Sequence, residues 1–144
     1  MPVRTRQNDP VGLRCRLLDV AADLFQKGGY QATSIKDVME ATGISGGALH
    51  HHFPTKKQMA LAVIQERVAP AVRQTWIEPV RRASSLRKGI DGVFAAIAIG
   101  VEKRGSVSGC PLNNLALELS LTDPDFRHAI SCIFDEWQIG RAHV

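Results

Sequence analysis

The residues best suited to chemistry lie close together in the run SGGALHHH, which begins at Ser45. Ser45 can cap a helix, and the free N–H groups at such a helix start favour phosphate. Gly46 and Gly47 carry no side chain, so the backbone there can approach another molecule closely. His50 and His51 can donate hydrogen bonds to phosphate or to the N7 atom of a purine. Together these residue types indicate contact with a nucleic acid.

The three consecutive histidines, His50, His51 and His52, also raise the possibility of a metal site. Neighbouring residues on a helix diverge by about 100°, so three in a row cannot share one tetrahedral zinc ion. The chain contains no Cys-x-x-Cys or His-x-x-x-His spacing that could complete such a site. No metal and no cofactor are therefore predicted.

A short helix is predicted immediately before this run. Ile35, Val38 and Met39 have the one-sided apolar spacing of a helix. Either Thr33 or Ser34 can cap it, because a hydroxyl accepts a hydrogen bond from a free N–H group.

The run itself is predicted to form a second short helix after a tight turn. Gly43 ends the first helix, Leu49 and Phe53 lie on one inward face of the second, and Pro54 ends it. Two short helices joined by a turn that contains glycine are typical of the helix-turn-helix. The second helix of that motif enters the major groove of DNA.

A longer stretch, AADLFQKGGYQATSIKDVMEATGISGGALHHHFPTKKQM, resembles the DNA-binding domain of TetR-family transcriptional regulators. One position departs from the family pattern, which usually has tyrosine where this chain has His50. The positions that match are Ala21, Ala22, Leu24, Phe25, Gly29, Tyr30, Thr33, Ile35, Ala41, Gly43, Ser45, Gly47, Leu49, His52, Phe53 and Lys56.

The resemblance implies an all-α fold in which a three-helix DNA-binding domain precedes a partial helical domain for ligand binding and dimerisation. It also implies that Lys56 contacts the DNA backbone. The full set of predicted DNA contacts is Thr33, Ser34, Lys36, Ser45, Gly46, Gly47, Ala48, His50, His51 and Lys56.

Charge and composition agree with a nucleic-acid partner. Residues 1–60 and 61–104 have net charges of +3 and +4, whereas residues 105–144 have −3, for +4 overall. A basic surface on the first two thirds fits an acidic partner. The start has no apolar signal segment, no stretch reaches the ~20 apolar residues of a membrane span, and three cysteines form no disulfide framework. We therefore expect a cytoplasmic protein with no membrane partner.

The chain is expected to divide into a helix-turn-helix domain over 1–58 and an incomplete effector-binding domain over 59–144. Residues 1–9 form a leading arm with Arg4 and Arg6, which could enter a minor groove or simply be solvated. Pro70 should kink or end the helix that continues from Lys56. The run GVFAAIAIGV, which starts at Gly92, is apolar on nearly all sides and predicts a central, buried helix.

The segment that begins Gly-Cys110 resembles the Gly-Cys-x-x-x-Asn-Leu-x-x-Glu run of one branch of the family, in which some regulators respond to electrophiles or small unsaturated metabolites. Cys110 is predicted at a helix N-terminus, where a reactive thiolate is favoured, although a small buried residue is the simpler interpretation. The predicted effector or sensor residues are Cys110, Trp76, Phe94, Asn114 and Leu115.

Family members normally continue beyond this point with two long helices that pair in a dimer, so the resemblance predicts a C-terminally truncated chain and a homodimer in the full-length protein. The predicted function is that of a sequence-specific regulator, a repressor released from a palindromic operator by a small-molecule or electrophile effector. The alternatives are a DNA-binding adaptor without a small-molecule ligand and, from a different class, an enzyme with Cys110 as nucleophile and His128 as base.

Overall fold

A computed structural model describes residues 9–106 and 109–142, with side chains to residue 138. The described residues form helices and no strand, as predicted. The helices are α1 (Pro10–Gly28), α2 (Ile35–Thr42), α3 (Gly46–His52), α4 (Lys56–Val63), α5 (Ala69–Val72), α6 (Glu78–Arg82), α7 (Leu86–Arg104), α8 (Pro111–Leu119) and α9 (Pro124–Ala142). We call α1 to α4 the head and the chain from Ile64 onward the second region.

Each helix of the head begins at a side-chain cap. Asp9 accepts from the Gly12 N–H at 2.9 Å, and Ser45 and Thr55 cap α3 and α4 in the same way. Ser34, rather than Thr33, caps α2, and the Asp37 carboxylate accepts a hydrogen bond from the Ser34 N–H at 2.6 Å. These caps satisfy N–H groups that have no partner inside their helices.

The core of the head combines apolar side chains from its four helices, including Val38, Leu49 and Phe53, whose helical spacing predicts an inward face. Gly43 ends α2 in the left-handed conformation, which turns the chain toward Ser45, the cap of α3. The fully buried side chains of the head include Leu17, Leu18, Val38, Leu49, Met59 and Val63.

Pro70 does not end the helix that starts at Lys56, which corrects one of the two predicted outcomes. Helical structure continues to Arg82 through two five-residue π-helical turns, Ile64–Val68 and Arg73–Ile77. A proline follows each wide turn, Pro70 after the first and Pro79 after the second. A proline within a helix has no N–H to donate to the carbonyl four residues earlier. A wide turn already departs from this regular bonding, so a proline just after it interrupts the helix less.

The prediction that α7 is a central buried helix is wrong. Only Gly89 and Val93 of α7 are buried, whereas Phe94 is 58% exposed. The helix lies against α6 along one side, where a Cβ at Gly89 would stand 2.8 Å from the Val80 Cα. Because described helices do not surround α7, much of its apolar surface faces solvent.

Candidate nucleic-acid interface

Helix α3 presents the face that its spacing predicts. Leu49 and Phe53 are 2% and 3% exposed and pack into the head, whereas Gly47, His50 and His51 lie on the exposed side. A surface helix of seven residues thus offers short or polar groups to a partner and keeps its apolar groups inside.

The two glycines of α3 have different surroundings. A methyl group at Gly46 would stand 3.4 Å from the Met39 Cε, so this position contacts α2. A methyl group at Gly47 would have no atom within 4 Å. The bare surface at Gly47 is therefore not required for packing within the described chain.

The residues at the start of α2 divide between surface and interior. Ser34 and Lys36 are exposed, and Lys36 lies 3.5 Å from Glu40. Thr33 is only 5% exposed, and its hydroxyl donates to the Gly29 carbonyl at 2.8 Å. We therefore correct the prediction for Thr33: its side chain stabilises the turn after α1 and does not face solvent. Ala48 is half-buried.

Lys56 is held by the turn between α1 and α2. Its ammonium lies 4.1 Å from the centre of the Tyr30 ring and donates to the Gln31 carbonyl at 3.5 Å. Burial lowers the pKa of Lys56, with nearby Glu118 and Asp37 opposing the change. The ammonium is thus placed close to the head surface instead of extending freely into solvent.

Glu118, on α8, joins the second region to that same turn. Its carboxylate accepts hydrogen bonds from the Tyr30 N–H at 2.8 Å and the Gln31 N–H at 2.6 Å. This role is not predicted from the sequence, although Glu118 is the glutamate of the family run noted above. In each of the two hydrogen bonds, the residues that are joined lie 87 or more positions apart in the chain.

Two further contacts reinforce this connection. Tyr30 packs edge-on against Phe126 of α9, with ring centres 5.4 Å apart. Lys57 pairs with Asp123 at 2.7 Å and with Asp125 at 2.6 Å. These bonds lower the pKa of Asp123 and raise that of Lys57, mainly through the hydrogen bond between the two. We call the contacts of Glu118, Phe126 and Asp123 with the head the seam.

The second region contains a cavity of about 450 Å³ that brings together three of the predicted effector residues, Trp76, Phe94 and Cys110. Leu115 is buried in the core instead, and Asn114 packs beside Gly109. A smaller cavity of about 190 Å³ lies on the other side of Trp76, toward Trp137.

The predicted nucleophile and base are not brought together. Cys110 and His128 line different cavities, and His128 lies 3.8 Å from the Cys132 Sγ. Cys15 and Cys132 are exposed. No described group of three or more histidine, cysteine or acidic residues could hold a metal ion, and no helix among the described residues has the length and apolarity for a membrane crossing. Arg4 and Arg6 lie outside the described residues.

The outward face of α3, set on a capped three-helix head, defines a helix-turn-helix protein. Residues 17–63 match the family described as "Bacterial regulatory proteins, tetR family", and residues 87–142 match "Transcriptional regulator LmrA/YxaF-like, C-terminal domain". The chain belongs to the TetR family of helix-turn-helix transcriptional regulators.

Individual relatives agree with this assignment. An uncharacterized HTH-type transcriptional regulator from the lacX 3′ region of Lactococcus lactis is 30% identical, with 85% of this chain and 63% of that protein covered. The HTH-type transcriptional regulator LmrA of Bacillus subtilis is 27% identical, with 86% and 66% covered. A TetR transcriptional regulator from Chloroflexus aurantiacus has a similar structure, with a TM-score of 0.73, 32% identity, and 89% and 64% coverage. The chain thus spans about two thirds of the length of these relatives.

Proposed function

We propose that this chain binds double-stranded operator DNA through α3 and acts as a repressor that a small-molecule effector releases. The observation that carries the proposal is the orientation of α3, with Leu49 and Phe53 inside and Gly47, His50 and His51 outside. An α-helix presented in this way fits the major groove.

The proposed contacts divide by chemistry. The N-terminus of α3 at Ser45, together with Ser34, Lys36 and Lys56, would bind phosphates and fix the orientation of the head. His50 and His51 can donate to base edges or phosphates, and Gly46, Gly47 and Ala48 would allow close approach. This division predicts that most contacts position the protein and few select the sequence.

The proposed control is a change in the spacing of two heads. A homodimer of the full-length protein would place its recognition helices about 34–36 Å apart, one turn of DNA, on a palindromic operator. An effector in the cavity beside Trp76, Phe94 and Cys110 would favour a different spacing. Since α8 starts at this cavity and carries Glu118 to the seam, it is the candidate connection between effector and head.

Titration of the DNA upstream of the encoding gene tests the DNA-binding proposal. Fluorescence anisotropy should show a sequence-selective complex that weakens as salt is raised. Lys36→Ala should weaken it and reduce the salt dependence by about one ion. Lys103→Ala, which removes an exposed lysine on α7, is the matched control and should leave binding unchanged. Absence of any sequence-selective complex with the full-length protein would refute the proposal.

A further inference from the structure

The cavity of about 450 Å³, which is the larger of the two beside Trp76, is mostly apolar and has one charged side chain among its described lining residues. Trp76, Phe94 and Ile97 contribute to its apolar wall, and Arg104 contributes the charge. The volume of about 450 Å³ lies in the range of small-molecule sites. A cavity of this kind suits a ligand with an apolar body.

Arg104 is exposed and, like Arg81 on α6, forms no ion pair with a described carboxylate. By contrast, Arg73, Arg82 and Arg87 each lie within 4 Å of a carboxylate. Its guanidinium folds back along α7, and a Cβ at Gly100 would stand 3.3 Å from both terminal nitrogens. The side chain is therefore held against its own helix beside the cavity, with its donors available.

A second electropositive group borders the same cavity. Helix α8 begins there, with Cys110 as its N-cap and Pro111 as its first residue, and both line the cavity. The Cys110 side chain makes no capping hydrogen bond. Pro111 has no N–H, so the donors without a partner inside the helix are the Leu112 and Asn113 N–H groups, and the dipole of the nine-residue helix adds partial positive charge.

We propose that the ligand of this cavity is an amphipathic anion, with an apolar body against Trp76 and Phe94 and a carboxylate or sulfonate group bound by Arg104 at the start of α8. The inference rests on the proposed effector role of the cavity and adds the ligand's chemical class. Arginine is suited to this task because its planar guanidinium can bind a carboxylate with two parallel hydrogen bonds.

A pair of fluorescent dyes tests the charge requirement directly on the 144-residue chain. Anilinonaphthalene sulfonate carries an anionic group, and N-phenylnaphthylamine has the same aromatic body without it. We expect the anionic dye to bind more tightly. Arg104→Gln should weaken binding of the anionic dye by about tenfold or more, as expected for a lost charge-assisted hydrogen bond. It should leave the affinity for the neutral dye unchanged. Lys103→Gln makes the same charge change at the neighbouring residue and should affect neither dye.

Filling the cavity establishes where the dye binds. Ile97→Trp should abolish binding, whereas Ile90→Trp should not, because Ile97 lines the larger cavity and Ile90 the smaller one on the same helix. Circular dichroism checks that each variant is folded, and Arg104→Lys, which keeps the charge, should retain part of the affinity.

The proposal is overturned if neither dye binds, or if Arg104→Gln and Lys103→Gln reduce the affinity for the anionic dye equally. It is also overturned if Ile90→Trp blocks binding of the anionic dye as strongly as Ile97→Trp does. These measurements contain no DNA. A failure here therefore leaves the proposed operator binding unaffected, and a failure to bind DNA leaves the dye result intact.

Discussion

The head and the second region share one apolar core but differ in how much apolar surface they leave exposed. In the head, apolar side chains such as Leu49 and Phe53 are buried under helices that local caps hold in place. In the second region, Phe94, Ile99 and Leu117 are more than half exposed, and cavities lie beside Trp76. The comparison indicates that the head is specified by its own sequence, whereas the second region has surface and volume available for another molecule.

The largest expected difference is in stability. Leu49→Ala should reduce the free energy of unfolding by about 2–5 kcal/mol, because it leaves a cavity in a fully packed head. Phe94→Ala removes a larger side chain but should cost less than about 1 kcal/mol, because Phe94 is mostly exposed. Urea unfolding measures both. Similar losses for the two variants would remove the contrast between the regions.

A smaller effect is expected at the seam. Glu118→Gln weakens two hydrogen bonds to the head by removing the charge of their acceptor, and should cost about 1 kcal/mol. If the seam positions the head, DNA affinity should fall as well. Glu102→Gln, at an exposed position on α7, makes the same charge change and serves as the control. Equal effects of the two variants would show that the Glu118 bonds are not involved.

The seam should also depend on pH. The folded-state pKa of Asp123 lies below its unfolded value because of the bond to Lys57, so this contribution is present above the unfolded pKa. It is lost as pH falls through the folded pKa, below about 4. Urea midpoints between pH 6 and about 3 should therefore fall less steeply in Lys57→Gln than in the unaltered chain. Parallel curves would contradict the assignment.

The smallest change in stability, and one of opposite sign, is expected on the DNA-binding face. Gly47→Ala should stabilise α3 by up to about 1 kcal/mol, because the added methyl meets no atom and alanine favours a helix. The same methyl should reduce DNA affinity by about tenfold, or 1.4 kcal/mol, if the backbone approaches DNA here. Gly46→Ala, which instead meets Met39, should gain less stability. Unchanged DNA affinity in Gly47→Ala would exclude close approach at this position.

The structural features that could be predicted from the sequence are those with a local physical cause. The caps at Ser34 and Ser45, and the turn at Gly43, depend on residues a few positions apart. The inward face of α3 follows from helical periodicity alone.

The failures depend on neighbours that are distant in sequence. The residues of α7 are apolar on most sides, but burial depends on how many helices surround them. Thr33 is polar in a helix-turn-helix pattern, yet its hydroxyl finds a backbone acceptor inside. The contact of Glu118 with the head was not predicted because its partners lie 87 or more residues away in the chain. The position of Arg104 in a cavity wall was not predicted because that wall is built from residues of several helices.

The two wide turns between Lys56 and Arg82 set the rotational phase of the segment. At about 100° per residue, a regular helix would place Ile77 roughly opposite Ile64, yet both are buried in the same core. The extra residue in each wide turn brings the downstream side chains back to the inner side. Removing one residue from this segment would rotate everything after it by about a quarter turn or more. Trp76 would then leave the cavity wall while the head remained intact, so the two regions are joined by a segment whose exact length determines which side chains the ligand meets.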